Sequence, residues 1–434
     1  MKKLKLPLLT LITSFTVGMV SYAEEAAYAQ LLSKLEQHPA LEAVRQHVIE
    51  QREAAAGAGS LPDPMLMFGI NNFPADGKGG FDRFAMTSKS VGFIQKIPNS
   101  GVRAASVQAK QHLAAKAQIA VAYTHQQLIS SFHIALAEKK RITKQQQLLL
   151  EEMNLLKQEA AFWDGRLQAG ESALDERSRV SADLAQAEAQ QARLQAEAAE
   201  FDAELVRLVG QHSPIDVPNL ILTPWPNVLR IFSVQLAEKD VHVAQANVSS
   251  AESAFGPNYQ LGATYAQRDN SGSFDGGDFA SVQFGISIPL WSKWNQQPKL
   301  RSAQAGVSRA KAMLADVRSR THQQLTTQYA KIKETEATQK ALHEKQHAID
   351  TQINSLRAAY THDGRLDKLI AAKRSLLKLR LQLAALEAQY VRQVNQFNSL
   401  FEPAEVEPVA TQAIQTTKVV SATEIQSTQA GENL

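Results

Sequence analysis

Phe279-Ala280-Ser281-Val282-Gln283-Phe284-Gly285-Ile286-Ser287-Ile288-Pro289 is the stretch that decides how the rest of the chain is read. Val282, Phe284, Ile286 and Ile288 alternate with Ser281, Gln283, Gly285 and Ser287. That period of two belongs to a strand with one oily face and one small, polar face. A half-buried strand in a soluble protein alternates in the same way, so the following residues carry more weight. After Pro289 and a short segment of Trp, Asn, Gln and Pro, the run from Lys299 to Tyr360 holds one Gly (Gly306) and no Pro. A helix of roughly 60 residues is about 90 Å long at 1.5 Å per residue, far beyond ordinary globular helices.

The chain does this twice. Ser90-Val91-Gly92-Phe93-Ile94-Gln95-Lys96-Ile97-Pro98 leads into an uninterrupted helical pattern from Val102 to Phe162. Ser90, Val91 and Pro98 return as Ser281, Val282 and Pro289 at a constant offset of 191. Thr124–Leu128 (THQQL) returns as Thr321–Leu325, and Asp164–Leu167 (DGRL) as Asp363–Leu366. Pro64 and Gly69 are echoed by Pro257 and Gly262. Several short identities in the same order are explained by an internal duplication.

Residues 1–23 read as a secretory leader. Lys2, Lys3 and Lys5 are its basic start, Leu8–Val20 its apolar run, and Ser21-Tyr22-Ala23 its small-residue cleavage site. Without those three lysines the formal charge of +3 disappears, leaving 43 basic against 43 acidic residues. A near-neutral chain gives no electrostatic case for nucleic acid. The absence of Cys excludes disulfides, thiolate metal sites, a Cys nucleophile and a lipidated Cys, so no lipid anchor is expected. Beyond the leader no apolar run reaches about 18 residues. A membrane location would have to be a barrel.

The first repeat spans 24–210: a helix from Glu25 to Ala56, strands at 65–73 and 90–98, and a long helical hairpin turning near Trp163–Gly170. In the returning helix, Ala182, Ala185, Ala189, Ala192, Ala196, Ala199 and Ala203 recur at spacings of three and four. This small-residue seam is expected to lie tightly against a neighbouring helix. A Pro-rich linker at 211–226 leads to the second repeat at 227–401, with a helix from Val228 to Ser253, strands at 258–267 and 279–289, and a second hairpin. There Leu379, Leu383, Leu386, Tyr390 and Phe397 supply a larger-residue seam. Residues 402–434 have no apolar period and read as disordered.

The fold expected is mainly α with a small β part, a duplicated helix–strand–strand–long helix–helix unit. Four strands cannot close around a water-filled lumen, whereas three copies supply twelve. The polar face then lines a channel, the apolar face meets lipid, and the long helices continue the tube.

In this order of elements the chain resembles the TolC-like outer-membrane factors of Gram-negative bacteria. The resemblance covers nearly all of the mature sequence. It is carried by His38-Pro39-Ala40-Leu41, by Leu61-Pro62-Asp63-Pro64 before the first strand, and by Gly170…Leu174-Asp175 and Gly364…Leu366-Asp367 at the hairpin turns. The Leu-Pro-Asp-Pro segment is most similar to the heavy-metal branch (cobalt–zinc–cadmium or copper/silver).

The resemblance implies a homotrimer with a 12-stranded outer-membrane β-barrel continued by a periplasmic α-helical barrel. Its partners are a periplasmic adaptor and an inner-membrane pump of the RND type, and its expected role is passive exit duct for heavy-metal cations. Multidrug efflux and type I protein secretion use the same fold. A periplasmic adaptor and a coiled-coil scaffold are the alternatives from other classes. An adaptor would add more strands, and a scaffold leaves the paired strands unexplained.

By the same resemblance the hairpin turns are the periplasmic tip, where the channel gates and the adaptor docks. The candidate residues are Asp164, Gly165, Arg166, Leu167, Asp363, Gly364, Arg365, Leu366 and Asp367. The two DGRL copies align at an offset of 199 but Leu174-Asp175 and Leu366-Asp367 at 192, so one hairpin is longer. Like charges repeated about a threefold axis repel unless paired, so carboxylates paired with Arg could latch the tip shut.

His343-Glu344-Lys345-Gln346-His347 matches the zinc-protease pattern HExxH. Asp350 and Ile353 stand where a metzincin needs Gly and a third His, and His362 is over 20 Å further along a rod by helix rise. These residues therefore read as the polar surface of a long helix. Met65, Met67 and Met86 read as residues facing lipid or core rather than as copper ligands. No catalytic site, metal site or cofactor motif is found.

Overall fold

The computed structural model describes residues 26–75, 80–211, 216, 218, 220–225, 230–270, 277–363 and 366–403. The leader at 1–23, part of the 211–226 linker and nearly all of the 402–434 tail lie outside these residues. In chain order the elements are α1 (26–36), α2 (Pro39–Ala58), β1 (Met65–Asn71), β2 (Ser88–Ile97), α3 (Ser100–Gln168), α4 (Leu174–Val209), α5 (Phe232–Ser253), β3 (Asn258–Gln267), β4 (Phe279–Ser287), α6 (Gln296–Asp363) and α7 (Leu366–Asn398). The halves match element for element, α2 with α5, β1 with β3, β2 with β4, α3 with α6 and α4 with α7.

The 69 residues of α3 make a rod about 104 Å long at 1.5 Å per residue. Asn99 starts it, its Oδ1 accepting from the backbone N–H of Gly101 (2.8 Å) and Val102 (3.3 Å). Next to the sheet, α2, α3, α5 and α6 lie side by side in that order; in the far half the order is α4, α3, α7, α6.

One core joins α1 (Leu31, Leu35) to Phe132 and Leu136 of α3 and Leu205 of α4. A second runs down α3 and α4 through Leu149, Leu156, Val180 and Leu194. The THQQL copies end on equivalent positions, since Leu128 and Leu325 are both buried. What the structure describes of the linker packs as well: Leu220, Leu222 and Trp225 cover Leu325, Ile332 and Phe397.

All four strands form one antiparallel sheet in the order β1-β2-β3-β4. The register Phe68↔Val91↔Tyr265↔Ala280 and Leu66↔Phe93↔Ala263↔Val282 puts most of the apolar residues of the four strands on one face. Gly69↔Ser90, Gly92↔Thr264↔Ser281 and Gly262↔Gln283 occupy the other. β1 and β4 are its edges. Where sheet meets helices the repeats press together: an added Cβ on Gly101 would lie 2.6 Å from Ser253 Oγ, and one on Gly256 would overlap Asn99 Nδ2.

Several expectations change. The first helix is broken at residues 37–38, because Pro39 cannot donate to the preceding turn and disfavours helical backbone before it. His38 Nδ1 instead caps α2, accepting from Ala40 N at 3.2 Å. The strands placed at 65–73, 90–98 and 279–289 run 65–71, 88–97 and 279–287.

The seven alanines do not face α3. The buried residues of α4 are Val180, Ala187, Leu194, Leu205, Leu208 and Val209, whereas Ala182, Ala185, Ala189, Ala192, Ala196, Ala199 and Ala203 are all exposed. Ala182 follows Val180, and Ala189 follows Ala187, by two residues, about 200° around the helix. Met65 and Met67 share the polar face with Gly92 and Thr264 rather than the apolar one.

The sheet faces, the helical tip and the candidate functional site

The sheet's apolar face has no covering layer. Phe68 is 79% exposed, Val282 78%, Phe284 69% and Leu66 64%, and every residue of β4 is exposed. An uncovered apolar surface of this extent marks an interaction surface. Its opposite face is mostly Ser, Thr, Gln and Gly, with Met65, Met67, Ile94 and Phe279 among them, and both edge strands present unpaired backbone groups, a template for another chain. Among the described residues, no helix is long and apolar enough to cross a membrane.

At the far end the two hairpins turn differently. The segment Asp164-Gly165-Arg166-Leu167 is still helical, inside the last turn of α3. The chain reverses at Gly170, whose φ of +85° is left-handed backbone that Gly adopts without strain. In the second hairpin Asp363 ends α6 and Leu366 opens α7. The identical tetrapeptides are therefore not equivalent. The Leu-Asp pairs are: Leu174 and Leu366 each begin a returning helix, and the first hairpin is the longer one.

The sequence-predicted residues fall into separate groups. Asp164 Oδ1 accepts from Arg177 Nε at 2.8 Å. Arg166 pairs with Glu171 and lies over the rings of Phe162 and Trp163. Both charges thus close the first hairpin on itself. Leu366 packs against Leu148, Leu155, Ile370 and Leu377, and Asp367 is exposed in the first turn of α7, where a negative charge favours the helix dipole. Gly165 and Leu167 have no polar side chain to offer, and Gly364 and Arg365 lie outside the described residues.

The residues that join one hairpin to the other were not singled out from the sequence. Arg374 of α7 reaches Glu159 of α3 (3.4 Å) and Asp183 of α4. Further up, Glu138 of α3, 1% exposed, is held by Arg392 of α7 and by Arg141 (2.6 Å), which also donates to Glu197 of α4 at 2.7 Å. Burial opposes the Arg141 charge, but hydrogen bonds to Glu197 and Glu138 win and raise its pKa. The hydrogen bond from Arg141 lowers that of Glu197. Among charged residues spaced along four helices, nothing in the sequence says which will meet. Level with Arg374, a groove of about 530 Å³ opens between α3, α7 and α6, with Glu151, Asp350, Arg357, Lys373 and Arg380 on its walls.

His343, Glu344 and His347 are exposed on α6, and no group of three His, Asp or Glu positioned for a metal occurs among the described residues.

These features define a fold class, that of the TolC-type outer-membrane channels. No protein-family model matches the sequence, and no curated protein does. Solved structures do match. CusC, described with its transmembrane channel formation, is 16% identical with a TM-score of 0.69 over 86% of this chain and 91% of its own. The outer-membrane channel OprN is 18% identical with a TM-score of 0.69, covering 86% and 90%. The open-state MtrE outer membrane channel of Neisseria gonorrhoeae is 17% identical with a TM-score of 0.68, covering 85% and 88%.

Proposed function

We propose that this protein is the outer-membrane exit duct of a tripartite efflux system, a passive conduit rather than an enzyme. The observation that carries the reading is the four-stranded sheet: one face predominantly apolar and bare, the other mostly small and polar, both edges open. Three copies joined β4 to β1 close a 12-stranded barrel with lipid outside and water inside. Along the helices the free edges are α2 and α4 on one side and α6 on the other, so the same head-to-tail contact continues down the tube. The exposed alanines of α4 then meet α6 of the next copy, where small side chains allow close approach.

The helical end projects into the periplasm. There the hairpin turns and the polar groove along α7 receive the helices of a periplasmic adaptor, which links the duct to an inner-membrane pump of the RND type. The pairs Arg374 with Glu159 and Asp183, and Arg392 with Glu138, hold the hairpins together, and the tip residues Asp164, Arg166, Asp363, Arg365 and Asp367 shape the opening. The Leu61-Pro62-Asp63-Pro64 segment carries the proposal of heavy-metal cations as cargo. Similar TM-scores to CusC, OprN and MtrE favour no single cargo. Zinc, cobalt, cadmium, copper and drug tolerance of a deletion strain decide it; loss of drug tolerance alone refutes the metal assignment.

The barrel is tested by a pair of substitutions one residue apart. An arginine on the lipid face of a barrel costs about 2–4 kcal/mol at mid-bilayer, while one in the lumen does not. Phe284→Arg therefore abolishes insertion into liposomes and the heat-modifiable trimer on gels, and Gln283→Arg preserves both. Equal behaviour of the two variants overturns the reading.

A further inference from the structure

α3 and α5 belong to different repeats and lie side by side, antiparallel, next to the sheet. Their contacts stay level along α5. Gly101 meets Ser253 at the sheet end, Lys116 donates to Asp240 at 2.5 Å, and Tyr123 packs on Phe232 with ring centres 5.1 Å apart. Between the first two of these contacts, about 18 Å along α3 at 1.5 Å per residue, stand His112 and His242. Their ring centres are 5.2 Å apart and their planes are tilted by 58°. His112 is half-buried and His242 exposed. Among the described residues neither ring hydrogen-bonds to protein, so their nitrogens are open to water or a ligand.

We infer that His112 and His242 together bind one divalent transition-metal ion of the zinc, nickel or copper class, which staples the first repeat to the second. Two imidazoles on one tetrahedral ion, at about 2.0–2.1 Å for each metal–nitrogen bond, have ring centres about 5 Å apart. The observed spacing meets that requirement with both helices where they are, leaving only side-chain torsions to turn the nitrogens inward. Neutral imidazole is the form that ligates. Burial, the facing His242 and Lys239 all hold the pKa of His112 below the ordinary 6.5, so its ring is neutral at neutral pH. Lys239 and Lys116 set positive charge against the ion, and Asp240, paired with Lys116, offsets part of it. No third His, Asp or Glu among the described residues is placed to join the pair, so water fills the remaining positions. Nitrogen ligands select these metals over calcium and magnesium, which take oxygen. Both ligands come from one copy and from the middle of the helical layer, so the inference stands apart from the barrel reading.

His343 and His347, one turn apart on α6, would take the same ions. The test therefore starts from the His343→Gln/His347→Gln protein, purified in detergent without a polyhistidine tag. Titrated with zinc, nickel or copper(II) chloride in a calorimeter, it should bind one ion per chain, copper tightest. Each of these ions should raise its thermal unfolding temperature, and calcium and magnesium should not. His112→Gln and His242→Gln, each added to that background, should keep the helical circular dichroism and weaken binding by about tenfold or more, since even the outer partners of a metal ligand are worth about 10- to 100-fold. Copper(II) electron paramagnetic resonance should resolve two imidazole nitrogens in the parent and one in either variant.

Binding that survives both substitutions unchanged places the ion elsewhere and overturns the inference. A parent that binds no ion overturns it too. So does a response to one substitution without the other, which describes a single imidazole and no bridge. If the rings serve packing alone, the variants unfold earlier in the absence of metal and added ions leave parent and variants equally unmoved. That result also sinks the staple.

Discussion

Replacing Arg374 by Gln removes the charge that ties α7 to both α3 and α4 near the tip, while keeping most of the side chain's bulk. Its guanidinium faces two carboxylates, Glu159 nearly buried and Asp183 about one-third exposed. An exposed ion pair is worth about 0–1 kcal/mol and loss of one partner of a buried pair about 3–5, so this mixed site lies near 1–2 kcal/mol per copy. Three copies acting together in the proposed trimer give about 3–6 kcal/mol, and at about 1.4 kcal/mol per factor of ten the open population rises roughly 10²- to 10⁴-fold. Single-channel recording in planar bilayers reads this as a change from rare, brief openings to sustained conductance. Glu159→Gln/Asp183→Asn reproduces it. Arg374→Lys, which keeps a positive charge between the two carboxylates, retains the closed behaviour. Unchanged conductance in an intact trimer refutes the latch.

Four other outcomes are expected. Ala189→Trp adds an indole to the exposed alanine row of α4; the monomer keeps its helical circular dichroism, but the trimer is lost on native gels. Gly170→Val destabilises the first hairpin in chemical denaturation by about 1–2 kcal/mol, the cost of left-handed backbone for a residue with a Cβ. Gly165→Ala, in open space within α3, stabilises the helix by about 1 kcal/mol. His133 is buried, takes a hydrogen bond from Tyr28 OH at Nε2 (2.7 Å) and gives one from Nδ1 to Asn395 Oδ1 (2.8 Å). Burial lowers its pKa below the ordinary 6.5, although the Asn395 bond opposes the shift. The unfolded chain therefore binds the proton first: the stabilisation is complete above about pH 6.5 and fades as pH falls through the folded value. Thermal unfolding between pH 8 and 5 should show this loss, and His133→Gln should flatten it.

Periodicity carried most of the fold. Val282 to Ile288 alternate because one side of the sheet must tolerate oil and the other water, and that demand is written residue by residue. Both long helices were readable from the scarcity of breakers, and Pro39 marked a helix break that a purely apolar pattern runs through. Facing partners were far less legible. The alanine row has the spacing of a packed seam, yet Val180, Leu194 and Leu205 bury more apolar area and take the place against α3. The DGRL copies looked equivalent by identity, but the first lies inside α3, whereas Asp363 ends α6 and Leu366 opens α7. For Arg374 and Arg392, the contacts depend on which turns of separate rods lie level with each other, and no local pattern encodes that.

The bare side of the sheet and its two unsatisfied rims have a cost before the protein reaches its destination. If the chain is the outer-membrane duct proposed above, a newly exported copy carries Phe68, Val282 and Phe284 into the aqueous periplasm with nothing to shield them, beside backbone ready to pair with any passing strand. Correct maturation is then a race between insertion and precipitation, which rewards late formation of the strands and escort by holdase chaperones. Overproduction faster than the bilayer can accept new rings should accumulate inclusion material rather than a soluble pool.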